Sequence, residues 1–118
     1  MPEIHEQERA EVLDVLLAQV SMVGLFRGEG VEETDANYRR QPIRFGPAQS
    51  DDDGHSFRAN LDEVRFPGYA ERAATPVTWW ALFDAAGRRV YADRPRRPVQ
   101  YDAGEEPYFA AGKLRVVV

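Results

Sequence analysis

From residue 21 onward the apolar residues come in short runs cut off by Gly, Pro or Asp, and the longest run is only Trp79-Trp80-Ala81-Leu82-Phe83. That pattern selects short β-strands. Within residues 75–83, Val77, Trp79, Ala81 and Phe83 fall on one side and Trp80 and Leu82 on the other. A strand that is apolar on both sides is one covered on both sides, so this segment is expected at the centre of a sheet. Asp84-Ala85-Ala86-Gly87 follows. Asp suits the opening of a type I turn, and Gly the left-handed position that closes a hairpin with a bulge. Residues 88–92 are then the return strand.

The remaining segments repeat the theme. Residues 22–26 form a strand ended by Gly28-Glu29-Gly30 and an acidic loop through Asp35. Residues 38–45 form another, with Ile43 and Phe45 on one face and Arg40 and Arg44 on the other. Pro42 confines it to an edge or a bulge, because proline donates nothing to a ladder. Residues 46–54 read as a loop. Phe57, Ala59 and Leu61 then alternate with Arg58 and Asn60, and Val64 and Phe66 run to Pro67-Gly68. Residues 99–102, 108–110 and 114–118 complete the set, with turns at Gly104 and Gly112. Seven or eight short strands in this order predict a mainly β domain over residues 21–118, an antiparallel β-sandwich or small barrel.

The first 20 residues differ. Pro2 suits the first turn of a helix, and Glu3, Glu6 and Glu8 complement the positive end of its dipole. Val12, Leu13, Leu16, Leu17 and Val20 recur as one stripe on a 3.6-residue period. An acidic amphipathic helix is expected over residues 1–20, from Pro2 or Glu3 to Gln19 in its regular part. Glu3, Glu6, Glu11 and Asp14 lie away from the stripe and face outward.

One domain is the natural size for 118 residues, and 43% apolar content is enough for a core without staples. Absence of cysteine removes disulfides, thiolate metal sites and cysteine nucleophiles. No apolar run approaches the roughly 20 residues of a spanning helix, and the acidic start lacks the basic region of a secretory signal. A soluble protein made in the cytoplasm is expected. The net charge of −5 argues against nucleic-acid binding, which needs a basic surface. The total hides a division: residues 1–35 carry nine acids and two arginines, while residues 36–118 carry eleven acids and thirteen basic residues.

Motifs for chemistry fail one by one. His5-Glu6 opens a zincin-like pattern, but Arg9 stands where the second histidine belongs. Asp51-Asp52-Asp53-Gly54 lacks the EF-hand register and reads as an Asp-rich turn. Gly28-Glu29-Gly30 sits among acids that no phosphate cradle would tolerate. Asp62-Glu63 and Glu105-Glu106 are neighbours that point apart and read as solvated turns. No catalytic, cofactor-binding or metal-binding residue is nominated. What stands out is a basic segment, Arg88, Arg89, Arg94, Arg96 and Arg97, opposed only by Asp93. Proline keeps Arg94-Pro95-Arg96-Arg97-Pro98 out of any central ladder, so it is expected to be extended and exposed. It reads either as a protected sheet edge or as a docking surface for a carboxylate-rich protein patch, including the acidic helix of a neighbouring copy.

Several pieces in order carry a resemblance: Val23-Gly24-Leu25-Phe26, Arg40-Gln41-Pro42-Ile43, Phe66-Pro67, Trp80-Ala81-Leu82-Phe83-Asp84-Ala85, and Phe109-Ala110-Ala111-Gly112-Lys113-Leu114-Arg115-Val116-Val117-Val118. From about residue 12 to the end, the chain resembles a family of small tailed-bacteriophage virion proteins, labelled minor capsid, head-decoration or tail-fibre-like. The resemblance implies a non-enzymatic structural role in the virion, no cofactor, a homo-oligomer such as a trimer, and the major capsid protein or another virion protein as partner. A tail or tail-fibre component that touches the host through Trp79, Trp80, Tyr69, Tyr91 or Tyr101 is the alternative, although both tryptophans are expected in the core. A sugar-binding or enzymatic β-sandwich module is the weaker alternative.

Overall fold

The computed structural model describes residues 11, 14–95 and 97–117. The described part of the leading helix includes residues 14–17, where the Ala18 N–H bonds the Asp14 carbonyl at 3.0 Å. No helix among the described residues is long and apolar enough to cross a membrane.

Among the described residues ten strands follow: β1 (Val20–Gly28), β2 (Val31–Glu32), β3 (Gln41–Pro42), β4 (Gln49–Ser50), β5 (Ser56–Ala59), β6 (Val64–Arg65), β7 (Trp79–Asp84), β8 (Arg89–Asp93), β9 (Tyr108–Phe109) and β10 (Arg115–Val117). Every pairing is antiparallel. The larger sheet has the order β2-β1-β7-β8, with β3 also on β1. Across from it lie β10-β5-β4 and the pair β6-β9. The fold is mainly β and sandwich-like, as expected.

The core lies between these layers. Val23 and Leu25 of β1 and Trp80 and Leu82 of β7 pack with Ile43, Val64, Phe66, Leu114 and Val116, and Leu17 of the helix joins them. The opposite face of β7 carries Ala81 and Phe83, clustered with Phe26, Met22, Trp79 and Ala92. The centre of the sheet is thus apolar on both sides, as the continuous run predicts.

Several expectations need correction, among them the loop over residues 46–54, which contains strand β4 paired with β5. Val20, the last residue of the helical stripe, belongs to β1 and pairs with Asp84. The acidic loop after Gly30 begins as strand β2, because residues 28–31 make a tight hairpin in which Gly30 has φ of 74°. Of residues 38–45 only Gln41 and Pro42 are strand, at one end of β1, and residues 99–102 contribute a single bridge, Val77 to Val99. The alternation in β5 breaks at its end. Asn60 is buried (2% exposed) and Leu61 is turned outward (49%), because Asn60 is where three segments are tied together. Its Nδ2 donates to the carbonyls of Asp62 (2.9 Å) and Ala110 (3.1 Å), and its Oδ1 accepts the Leu114 N–H at 2.9 Å.

Candidate interaction surface

The β7–β8 hairpin is fixed by its turn. Asp84 Oδ1 accepts the N–H groups of Ala86 (3.0 Å) and Arg88 (2.8 Å), and Gly87 takes φ of 85°, where only glycine is unstrained. Arg88 and Arg89 therefore emerge at a defined place at the start of β8. At the other end Asp93 accepts the Arg94 N–H at 2.7 Å, and Pro95 and Pro98 stop the ladder. Among the described residues β8 pairs with β7 alone, so it is the edge of the large sheet. Six residue steps separate Arg88 from Arg94, which sets the two cationic ends roughly 20 Å apart.

The arginines of the protein divide into two groups. Arg40 grips Glu32 with two bonds of 2.8 and 2.9 Å. Arg44 pairs with Asp62 (2.6 Å), Arg65 with Glu63 (2.9 Å), Arg72 with Asp102 (3.0 Å), Arg58 with Asp14 and Arg27 with Glu33 (3.8 Å). In contrast Arg88, Arg89, Arg94 and Arg97 are exposed and have no carboxylate partner among the described residues. Arg39 and Arg115 also lack one, and Arg115 shares a cleft with Lys113, Asp93 and Arg94. Arg94 instead lies 4.5 Å from the centre of the Trp79 ring. Arg96 lies outside the described residues.

Of the acids in residues 1–35, Asp14, Glu32, Glu33 and Asp35 are engaged within the domain. Glu32 accepts the Tyr38 hydroxyl at 2.6 Å as well as Arg40, and these bonds hold its carboxyl below the usual range. Burial, with the Glu32 bond, pushes the Tyr38 phenol up. Glu33 is buried, accepts the N–H groups of Thr34 and Asp35, and takes the Tyr69 hydroxyl at 2.7 Å. Burial alone would raise Asp35, but N–H donors from Ala70, Asn37 and Glu71 outweigh it and hold the carboxyl low. Of the proposed acidic contacts, Glu11 is exposed, and Asp14 is tied to Arg58 of its own β5. Glu3 and Glu6 lie outside the described residues. The acidic loop and the acidic helix looked alike in the sequence, yet the loop is a structural tie.

On the face shared by Trp79 and Arg94, Gly24, Ala81 and Ala92 lie side by side across β1, β7 and β8. Small side chains lower the sheet surface at Ala81 and Ala92, where a cleft of about 440 Å³ opens, walled by Phe26, Trp79, Glu29 and Arg89. The tryptophans are split, against expectation: Trp80 is in the core and Trp79 is half-buried at this cleft. The reason is parity, since neighbours in a strand face opposite sides. Tyr69 is buried on Glu33 and stacks on Tyr101 at 5.3 Å, and Tyr91 packs on Trp80 at 5.7 Å. None of these three tyrosines is a free contact. Tyr108, not singled out by the sequence pattern, is 56% exposed beneath Arg65.

The groups that bear on catalysis or metal binding are placed as follows. Asp51, Asp53 and His55 bring ligand atoms within 4.8 Å of one another. However, Asp51 Oδ1 accepts the N–H groups of both Asp53 (3.0 Å) and His55 (2.8 Å), which closes an Asp-rich turn. Asp62 and Glu63 are exposed, as expected, and are ion-paired to different arginines. No family model, curated protein or solved structure matches the chain.

Proposed function

We propose that this chain is a non-enzymatic structural protein of a tailed-phage virion, a minor capsid or head-decoration protein. It would be made in the host cytoplasm and held in many copies on the major capsid protein or another virion protein. One observation supports the reading: six arginines elsewhere are paired with carboxylates of the same domain, whereas the four described arginines around β8 have no carboxylate partner among the described residues. An unneutralised, exposed cationic edge favours a carboxylate-rich protein surface. Repetition by symmetry makes many weak contacts of this kind cohesive, which also fits a homo-oligomer. The phage setting rests on the family resemblance of the sequence.

The half-buried Trp79 in its cleft favours a second reading, a tail or tail-fibre component that receives a host ligand there. Copy number separates the two. In purified particles, decoration predicts a copy number comparable to that of the major capsid protein, and a tail part predicts a handful. Absence from particles refutes both. Arg89→Glu with Arg94→Glu is expected to release the protein from particles without lowering its melting temperature, and full retention would refute docking through these arginines.

A further inference from the structure

We propose that the free edge of β8 receives an extended acidic segment of another polypeptide, which adds to the large sheet as a further strand. This deepens the docking reading above by giving the partner a conformation as well as a charge.

The edge itself supplies the first reason. β8 pairs with β7 on one side and with nothing on the other among the described residues. The ladder to β7 has a bulge at Val90, and on either side of it N–H and C=O groups of β8 point away from β7, as a template for one more strand. The charges supply the second reason. Arg88 and Arg89 stand at one end of this edge and Arg94 and Arg97 at the other, without carboxylate partners among the described residues. Their spacing, roughly 20 Å over six residue steps, matches a segment of about seven residues in extended form. A helix of that length would span only about half the distance. The two features therefore select the same ligand, an extended chain with carboxylates near its ends.

Charge also decides whose chain it is. A second β8 laid against the first would bring four arginines against four, opposed by one aspartate on each side, and like charges facing each other across a ladder are destabilising. Asp93 is already engaged by the Arg94 N–H. Nor does the acidic start of this chain fit, since its carboxylates and apolar residues follow a helical spacing rather than the alternation of a strand. The occupant is a different protein that presents an acidic, alternating segment. Strand addition of this type takes its affinity from main-chain hydrogen bonds and its selectivity from side chains.

The test uses the full chain and two blocked peptides of the sequence Glu-Val-Glu-Val-Glu-Val-Glu, one plain and one with every valine N-methylated. Charge is the same in both, but the second lacks the N–H donors along one edge. At low ionic strength the plain peptide is expected to bind at least about tenfold more tightly, the loss that follows when two or three strand hydrogen bonds go unmade. Amide exchange is expected to slow at those β8 amides that do not bond to β7. Equal affinity for the two peptides overturns strand addition while leaving electrostatic docking intact. Failure of both to bind, with Arg89→Glu/Arg94→Glu behaving as the unaltered chain, overturns docking as well. Self-association of the protein through β8 without peptide also overturns the proposal, since it assigns the edge to a second copy.

Discussion

Replacing Asn60 by leucine tests the main structural claim, because the side-chain branching is kept while the polar contacts go. The side chain is 2% exposed and makes three good hydrogen bonds, to Asp62, Ala110 and Leu114. Their losses are unequal. Leu114 is 2% exposed and its N–H has Asn60 Oδ1 as its partner, so that donor is left buried and unmet, at about 1–3 kcal/mol. The carbonyl of Ala110 is half-buried and that of Asp62 belongs to an exposed residue, so water replaces part of what they lose. Together the substitution should cost about 2–4 kcal/mol. That is a large fraction of the stability of about 5–15 kcal/mol usual for a domain. Urea unfolding followed by the fluorescence of buried Trp80 measures it, with the slope unchanged if the native fold persists. Asn60→Asp sharpens the test. A carboxylate there still accepts from Leu114 but faces the carbonyls of Asp62 and Ala110, which raises its folded-state pKa. The variant should gain stability relative to the parent as pH falls from neutral to 4. A cost under about 1 kcal/mol for the leucine variant, or no relative gain on acidification for the aspartate, would show that Asn60 is not the tie it is taken to be.

Other outcomes follow from single contacts. A Cβ on Gly24 would lie 2.7 Å from the Tyr38 hydroxyl and 3.0 Å from a Glu32 oxygen, so Gly24→Ala should cost about 1–3 kcal/mol. Tyr38→Phe leaves the buried Leu25 N–H without its acceptor and is itself destabilising, but the further cost of Gly24→Ala in that background should be smaller than in the unaltered chain, as thermal unfolding of the four variants would record. Glu32 and Asp35 both titrate below their ordinary values, so their contribution is complete above the unfolded carboxyl pKa and is lost as pH falls through the folded ones. The melting temperature should therefore fall on acidification below about pH 4.5, and Glu32→Gln should flatten that slope. Removing the turn cap with Asp84→Ala should cost about 1 kcal/mol, since two N–H groups lose their acceptor. Arg94→Ala should uncover Trp79 and red-shift the tryptophan emission with little change in stability.

Charge composition was the weakest guide in the sequence and the most altered by the fold. Nine acids in residues 1–35 suggested a polar chain with an acidic pole. Glu32, Glu33 and Asp35 are instead bonded to Arg40, Tyr69 and the Ala70 N–H, residues up to 36 positions away. Sequence cannot distinguish a carboxylate held by a distant donor from one in water, because both sit in the same polar loop. The tryptophans show the reverse case. Alternation along β7 was legible, but which face lies under the second layer was set by where β6, β9 and β10 pack.

The sequence alone determined the strand-and-turn grammar. A doubly apolar run makes a central strand, Asp84 and Gly87 make a hairpin, and Pro42 makes an edge, each by steric and hydrogen-bonding rules that act within a few residues. Tertiary structure alone decided the polar connections: Asn60 turned inward, the acidic loop tied down, and six arginines neutralised. Those pairings join residues far apart in the chain, and only by subtracting them do the arginines around β8 stand out as unmatched among the described residues.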